Sequence, residues 1–177
     1  MLPEKAKETI ARHGMLKGEE KVLVAVSGGV DSVVLLEVLC LLAPEFSLEL
    51  VIAHLDHGLR GREAKEDARF VTSLGKAKGL TVIREQIDVA RVSEQERLSL
   101  EEAGHRVRRR FFEETSQKVG ATRIALGHTL NDRAETLLFN LIRGAGPTGL
   151  VGIRPVSLPY IRPLIDTSRE EVLSFAR

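Results

Sequence analysis

The chain has 177 residues, 43% of them hydrophobic, and a net charge of +1. That is enough apolar material for one α/β domain with one core, and too little charge to argue for nucleic acid from the total, so any basic surface must be local. The single cysteine, Cys40, lies in an apolar stretch and excludes an internal disulfide or a cysteine metal cluster.

No apolar run approaches a membrane span, and Glu4, Lys5, Lys7 and Glu8 stand where a signal peptide needs an apolar core. No membrane partner is expected, and the cytoplasm is the expected compartment. Residues 2–13 show weak helical spacing (Leu2, Ala6, Ile10) and end at His13-Gly14. The apolar run Val22 to Val26 reads as a buried strand that stops at Ser27-Gly28-Gly29-Val30-Asp31-Ser32. A helix follows at once and is expected to break at Pro44.

A second strand, Leu48 to Leu55, ends in His54-Leu55-Asp56-His57-Gly58-Leu59-Arg60. Residues 64–79 make an amphipathic helix closed by Gly79, and a third strand covers Leu80 to Val89. Arg91 to Arg97 is too charged to be core; with 56–63 it is expected to lack order without ligand. A long helix over 99–119 precedes a fourth strand, Arg123 to Leu126, and the pair Gly127-His128. A helix over 132–142, a loop over Gly144 to Gly149, three prolines within 153–164 and a helix start at Thr167-Ser168 complete the chain.

Strands alternating with helices predict an α/β fold: a Rossmann-like open parallel sheet with helices on both faces. Ligands of such sheets sit beyond the carboxyl ends of the strands, near the switch point. The polar strings 27–32, 54–60 and 127–135 all fall at that end. No internal repeat or interdomain linker is visible.

The string 27–32 is built as a phosphate cradle. Gly28 and Gly29 let the backbone approach a ligand, the following helix offers unpaired N–H groups, and Ser27 and Ser32 add hydroxyls. A Walker loop would end in a lysine. Asp31 stands there instead, and a carboxylate beside phosphate makes sense with a Mg²⁺ ion between the charges. The plain structural alternative is a glycine turn with an acidic helix cap. At these residues the chain resembles the PP-loop ATP pyrophosphatases, whose S-G-G-x-D-S loop grips the β,γ-pyrophosphate of ATP. The resemblance implies the adenine nucleotide alpha hydrolase-like version of the fold.

Other strings offer further chemistry. His54-Leu55-Asp56-His57 with His128 suggests a metal, but no consistent ligand set closes; shaping an adenosine pocket suits His54, Asp56 and His128 better, and Asp56 could equally cap its loop. Asp132 and Glu135, three apart, share a helix face, where they could cap the helix or receive a cationic substrate or second metal. Of Arg106, Arg108, Arg109 and Arg110, most should be solvated while one could reach phosphate; Phe111 and Phe112 should be core. Arg60 and Arg62 are candidates for phosphate-backbone contacts.

Together, SGGVDS (27–32), HLDHGLRG (54–61), ERLSLEEA (96–103), RIALGHTLNDRAET (123–136), LIRGAGPTGLVGI (141–153) and RPLIDTSREEV (162–172) resemble the tRNA(Ile)-lysidine synthetase branch of that family. The resemblance implies ATP and Mg²⁺, tRNA(Ile) with a CAU anticodon and free L-lysine, and is compatible with a homodimer. It implies that Ser27 to Ser32, Val30 included, hold the nucleotide with His54, Asp56 and His128, and that Asp31 holds the metal. The C2 carbonyl of the wobble cytidine would attack the α-phosphate, with Arg108 balancing charge. Lysine, steered by Asp132 and Glu135, would then displace AMP. Thr129, Asn131, His105 and Arg109 depart from the branch's usual residues, while Asp132 and Glu135 stay in register. The expected organisation is one N-terminal PP-loop catalytic domain over 1–177, cut before C-terminal tRNA-binding domains. A tRNA thiolase of the same superfamily is the enzymatic rival, disfavoured by the lone cysteine; a non-catalytic nucleotide-binding module is the rival of another class.

Overall fold

The computed structural model describes residues 1–58, 61–144 and 152–177, with Arg62 described in its backbone only. The expectations placed on Arg60, on the Arg62 side chain and on the loop 145–149 lie outside the described residues. The elements in chain order are α1 (Leu2–Arg12), β1 (Lys21–Ala25), α2 (Val30–Phe46), β2 (Glu49–Asp56), α3 (Arg62–Ala77) and β3 (Thr81–Gln86). They continue with α4 (Val89–Glu96), α5 (Leu100–Val119), β4 (Arg123–Ala125), α6 (Leu130–Ile142), β5 (Val156–Ser157), β6 (Tyr160–Ile161) and α7 (Arg169–Phe175).

The sheet order is β3-β2-β1-β4-β6-β5, parallel except for the β5–β6 hairpin. Chain order runs outward from β1 through β2 to β3, then returns to place β4 on the other side of β1. The order therefore reverses between β1 and β4, and a crevice opens beyond their carboxyl ends.

Alternation along the strands divides the core. Val22 and Val24 of β1 pack with Val34, Leu35, Leu39 and Val172 on one face, while Leu23 packs with Val107, Phe111 and Phe112 on the other. Helices thus cover both faces, α2 and α7 on the first and α5 on the second.

Two local expectations are corrected. Pro44 lies inside α2, which runs on to Phe46 and ends at a left-handed Ser47 whose N–H bonds Ala43 O. One missing N–H in a last turn costs a single hydrogen bond, and Leu35, Leu39 and Leu42 anchor the helix regardless. The segment 91–97 is no unordered stretch: residues Val89–Glu96 form α4, capped by Asp88, whose side chain accepts from Arg91 N. Only one face of a helix needs to be apolar, and buried Val89 with partly buried Val92 provides it.

Candidate active site

The loop after β1 is locked by its own hydroxyls. Ser32 Oγ donates to Gly29 O (2.8 Å) and accepts from Ser27 N (3.1 Å), and Ser27 Oγ accepts from Gly29 N (3.3 Å). Gly28 has φ +99°, open to glycine and strained for other residues, and a Cβ there would meet Asp67 Oδ1 of α3 at 2.9 Å. Gly29 caps α2 without a side chain, so the first N–H groups of the helix stay open to a ligand.

Asp31 sits in the first turn of α2. Its Oδ1 is buried without a hydrogen-bond partner, and its Oδ2 lies 3.5 Å from Arg169 Nη1. Burial raises its pKa; Arg169 opposes the rise, and the charge of Asp132 adds to it. Two of the three residues expected to carry chemistry on the β1 and β4 sides therefore feel each other across the switch point.

The β4–α6 turn runs against the same loop. A Cβ on Gly127 would lie 3.1 Å from Asp31 O and 3.2 Å from Ser32 Cα. His128 Nδ1 accepts from Arg162 Nε at 3.2 Å, which leaves its proton on Nε2 as a donor. Burial first, then Arg162, lowers the His128 pKa, with Arg108 and His105 contributing in the same direction and Asp132 opposing. Thr129 and Asp132 form a capping box: Asp132 Oδ2 accepts from Thr129 N (2.6 Å) and Thr129 Oγ1 (2.9 Å). Capping is thus part of what Asp132 does. Glu135 is exposed one turn on, with no ion pair among the described residues.

At the end of β2, His54 is buried, and its Nδ1 donates to Val26 O at 2.8 Å, which ties β2 to the phosphate loop. Its Nε2 is buried without a partner. Asp56 Oδ1 accepts from Gly58 N at 2.8 Å and caps the loop. Arg108 is the arginine of α5 that reaches this end, with Nη2 3.4 Å from His57 Nε2. Both line a concavity with Val89, Leu100, Gly104 and His105. Arg106 and Arg109 instead pair with Glu96 (3.0 Å) and Glu113 (2.9 Å), and Phe111 and Phe112 are core. Among the described residues, no three His, Cys, Asp or Glu side chains are grouped to hold a metal ion.

Sequence reasoning missed Asp67, Arg162 and Arg169 as neighbours of the site. Arg162 and Arg169 lie in a string that carried the family resemblance, but nothing local assigned them a role; Asp67 gave no signal beyond its place on an amphipathic helix.

A glycine loop feeding a helix N-terminus at a sheet switch point, with carboxylates on both sides, defines a nucleotide-phosphate-binding α/β domain. The chain belongs to the PP-loop domain family, whose profile matches residues 2–177 and implies ATP binding. It is similar to tRNA(Ile)-lysidine synthase of Geobacter sulfurreducens, 44% identical over 93% of this chain and 35% of that protein. The same enzyme of Caldanaerobacter subterraneus subsp. tengcongensis is 40% identical over 98% of this chain and 37% of its own length. The chain thus spans a little over a third of these curated relatives. Among solved structures, the U34-tRNA thiolase NcsA from Methanococcus maripaludis superposes with a TM-score of 0.79 at 21% identity, covering 99% of this chain and 62% of that one. The NH3-dependent NAD synthetase from Campylobacter jejuni gives 0.59 at 17% identity, over 99% and 70%. These likenesses show the fold.

Proposed function

We propose that this domain adenylates the wobble cytidine of tRNA(Ile) with a CAU anticodon and joins lysine to its C2, giving lysidine, AMP and pyrophosphate. The observation that carries the reading is that Asp31 of the phosphate loop and Asp132 of the β4–α6 turn share one switch point. It stands beside the identity to lysidine synthases along nearly the whole chain.

In the first step the loop N–H groups and the Ser27 hydroxyl hold the β,γ-phosphates, while Ser32, whose O–H is given to Gly29 O, keeps the loop in shape. The C2 carbonyl oxygen attacks the α-phosphorus, and pyrophosphate leaves. Arg108 and the Nε2–H of His128 stabilise negative charge developing near that phosphate. In the second step the ε-amine of lysine attacks C2, the C2–O bond breaks, and AMP departs with the oxygen. Asp132 and Glu135 attract the ammonium group, and a carboxylate takes the proton that the amine must lose before it attacks. Because Asp132 Oδ2 is engaged in the cap, Glu135 is the freer acceptor.

A Mg²⁺ ion fits the residues present. The buried, unpartnered Oδ1 of Asp31 is a hard oxygen beside the phosphate loop and would hold it. When bound, the ion would neutralise phosphate charge.

In this reading the chain is the catalytic domain of a longer, cytoplasmic enzyme whose further regions supply tRNA affinity. A homodimer would close over the exposed apolar residues Leu138, Phe139, Leu141 and Ile142 of α6; a monomer by sedimentation would remove that part. A thiolase reading gains nothing from Cys40. It lies about two and a half turns along α2 from Asp31, and burial raises its pKa, which disfavours the reactive thiolate.

The test is ATP–pyrophosphate exchange and incorporation of labelled lysine into tRNA(Ile), using this domain within a polypeptide as long as its relatives. Lysine entering the tRNA is the expected result. Glu135→Gln should slow lysine transfer at least ten-fold while exchange continues; unchanged transfer removes Glu135 as the base. Exchange without lysine entry would point to another adenylating enzyme of the superfamily.

A further inference from the structure

The loop Ser27–Ser32 binds phosphate with no lysine of its own, and Asp31 adds a negative charge where phosphates must arrive. A cation is brought there from the far end of the chain. Arg169, the first residue of α7, places Nη1 3.5 Å from Asp31 Oδ2. Its backbone is fixed: Arg169 N donates to Asn131 Oδ1 at 2.9 Å, and Leu130 N donates to Thr167 O at 2.9 Å, so the starts of α6 and α7 are stapled together beside the loop.

The side chain itself is not used to build the fold. It is 58% exposed, and a pair so open to water contributes little to stability. The helix is docked by other residues. Val172 is fully buried, Ser168 and Glu171 form a capping box, and Lys5 of α1 holds Glu171 at 2.7 Å. Arg169 therefore carries a guanidinium at the phosphate loop with donors left over after Asp31, in the planar geometry that suits phosphate oxygens.

We propose that Arg169 binds the β,γ-phosphates of ATP, the group that leaves as pyrophosphate, and so does from α7 what a lysine does within a Walker loop. The proposal rests on reading Ser27–Ser32 as the ATP site.

Titration calorimetry with ATP, pyrophosphate and AMP separates the two. The wild-type chain should bind ATP and pyrophosphate. Arg169→Ala should weaken both by about ten- to a hundred-fold, the loss of one charge-assisted hydrogen bond, and leave AMP binding unchanged; Arg169→Lys should recover part of the loss. Thermal melting of both variants at the wild-type temperature confirms that α7 stays docked. Unchanged ATP affinity in Arg169→Ala overturns the proposal while the loop reading stands. Equal losses for ATP and AMP also overturn it, because they indicate a displaced loop. Failure of the wild-type chain to bind ATP and pyrophosphate overturns the loop reading, and the proposal with it.

Discussion

At Gly127 one backbone runs so close to another that a Cβ would fit only if the backbone gave way by a few tenths of an ångström. The atoms that a Cβ would meet are Asp31 O, Asp31 C and Ser32 Cα, all within 3.2 Å, and backbone cannot swing aside as a flexible side chain can. Gly127→Ala should therefore push β4 and the start of α2 apart at a cost of about 1–3 kcal/mol. We expect a lower melting temperature together with weakened ATP binding; a variant that melts lower but binds ATP normally would show that the loop moves as a unit. Tyr160 gives a second residue-scale prediction. It is the only tyrosine, and the chain has no tryptophan, so its phenolate absorbance is read without interference. Burial and Glu113, which accepts its hydroxyl at 3.3 Å, push its pKa up to about 12. The folded pKa lies above the usual value of 10, so the neutral form is favoured by folding; that stability is present below about pH 10 and lost as pH rises toward 12. Spectrophotometric titration should show no ionisation near pH 10 until the protein unfolds. At this scale the sequence was informative where the role was local. The place of Asp132 at a helix start made capping visible in advance, although its partner in the box, Thr129, was not singled out. Arg169 was not legible as a partner of Asp31, because only tertiary packing makes them neighbours.

Among the elements, the helix from Ser99 was legible from its periodic apolar set, with a capping box at its start, and the strand entering Gly28 from an unbroken apolar run stopped by paired glycines. The helix α4 was missed because its charge drew attention from Asp88 as a cap and from the Val89–Val92 spacing. The helix α7 is seven residues long, too short to hold itself in water, and depends on its docking. Lys5 Nζ reaches both Glu171 oxygens, at 2.7 and 2.8 Å, and with the Ser168 N–H holds the Glu171 pKa down to about 2. A depressed carboxylate pKa contributes stability above the unfolded value, here 4.5, and that contribution fades as pH falls toward 2. The two side chains are 39% and 43% exposed, so solvent limits the pair to about 0.2–1 kcal/mol. Lys5→Ala should thus cost little at neutral pH by urea titration, yet speed amide exchange in α7 selectively. The wild type should approach the variant as pH drops below 4.5. Equal exchange in both proteins at neutral pH would mean that Val172 burial alone holds the helix.

The parallel sheet, legible from alternating strands and helices, brings three separate strings to one end, and its order, which the alternation does not dictate, sets β2, β1 and β4 side by side. The β5–β6 hairpin was not legible, since strands of two residues carry no periodicity. The whole-molecule charge bears on the proposed tRNA substrate. The chain carries 26 basic and 25 acidic residues, and two of the arginines of α5 are already paired, Arg106 with Glu96 and Arg109 with Glu113. Each phosphate contact adds about −0.7 to −0.9 to the slope of log affinity against log salt. With a net charge of only +1 over the whole chain, these 177 residues should bind tRNA(Ile) weakly and with a slope shallower than about −3. Filter binding across a salt series measures both quantities. Weak binding with a shallow slope, beside measurable ATP binding, would assign recognition of the tRNA body to regions that the longer relatives possess beyond the matched third. A steep slope with nanomolar affinity would instead place a continuous phosphate-binding surface on this domain, and the arginines of α5 would be the first to replace.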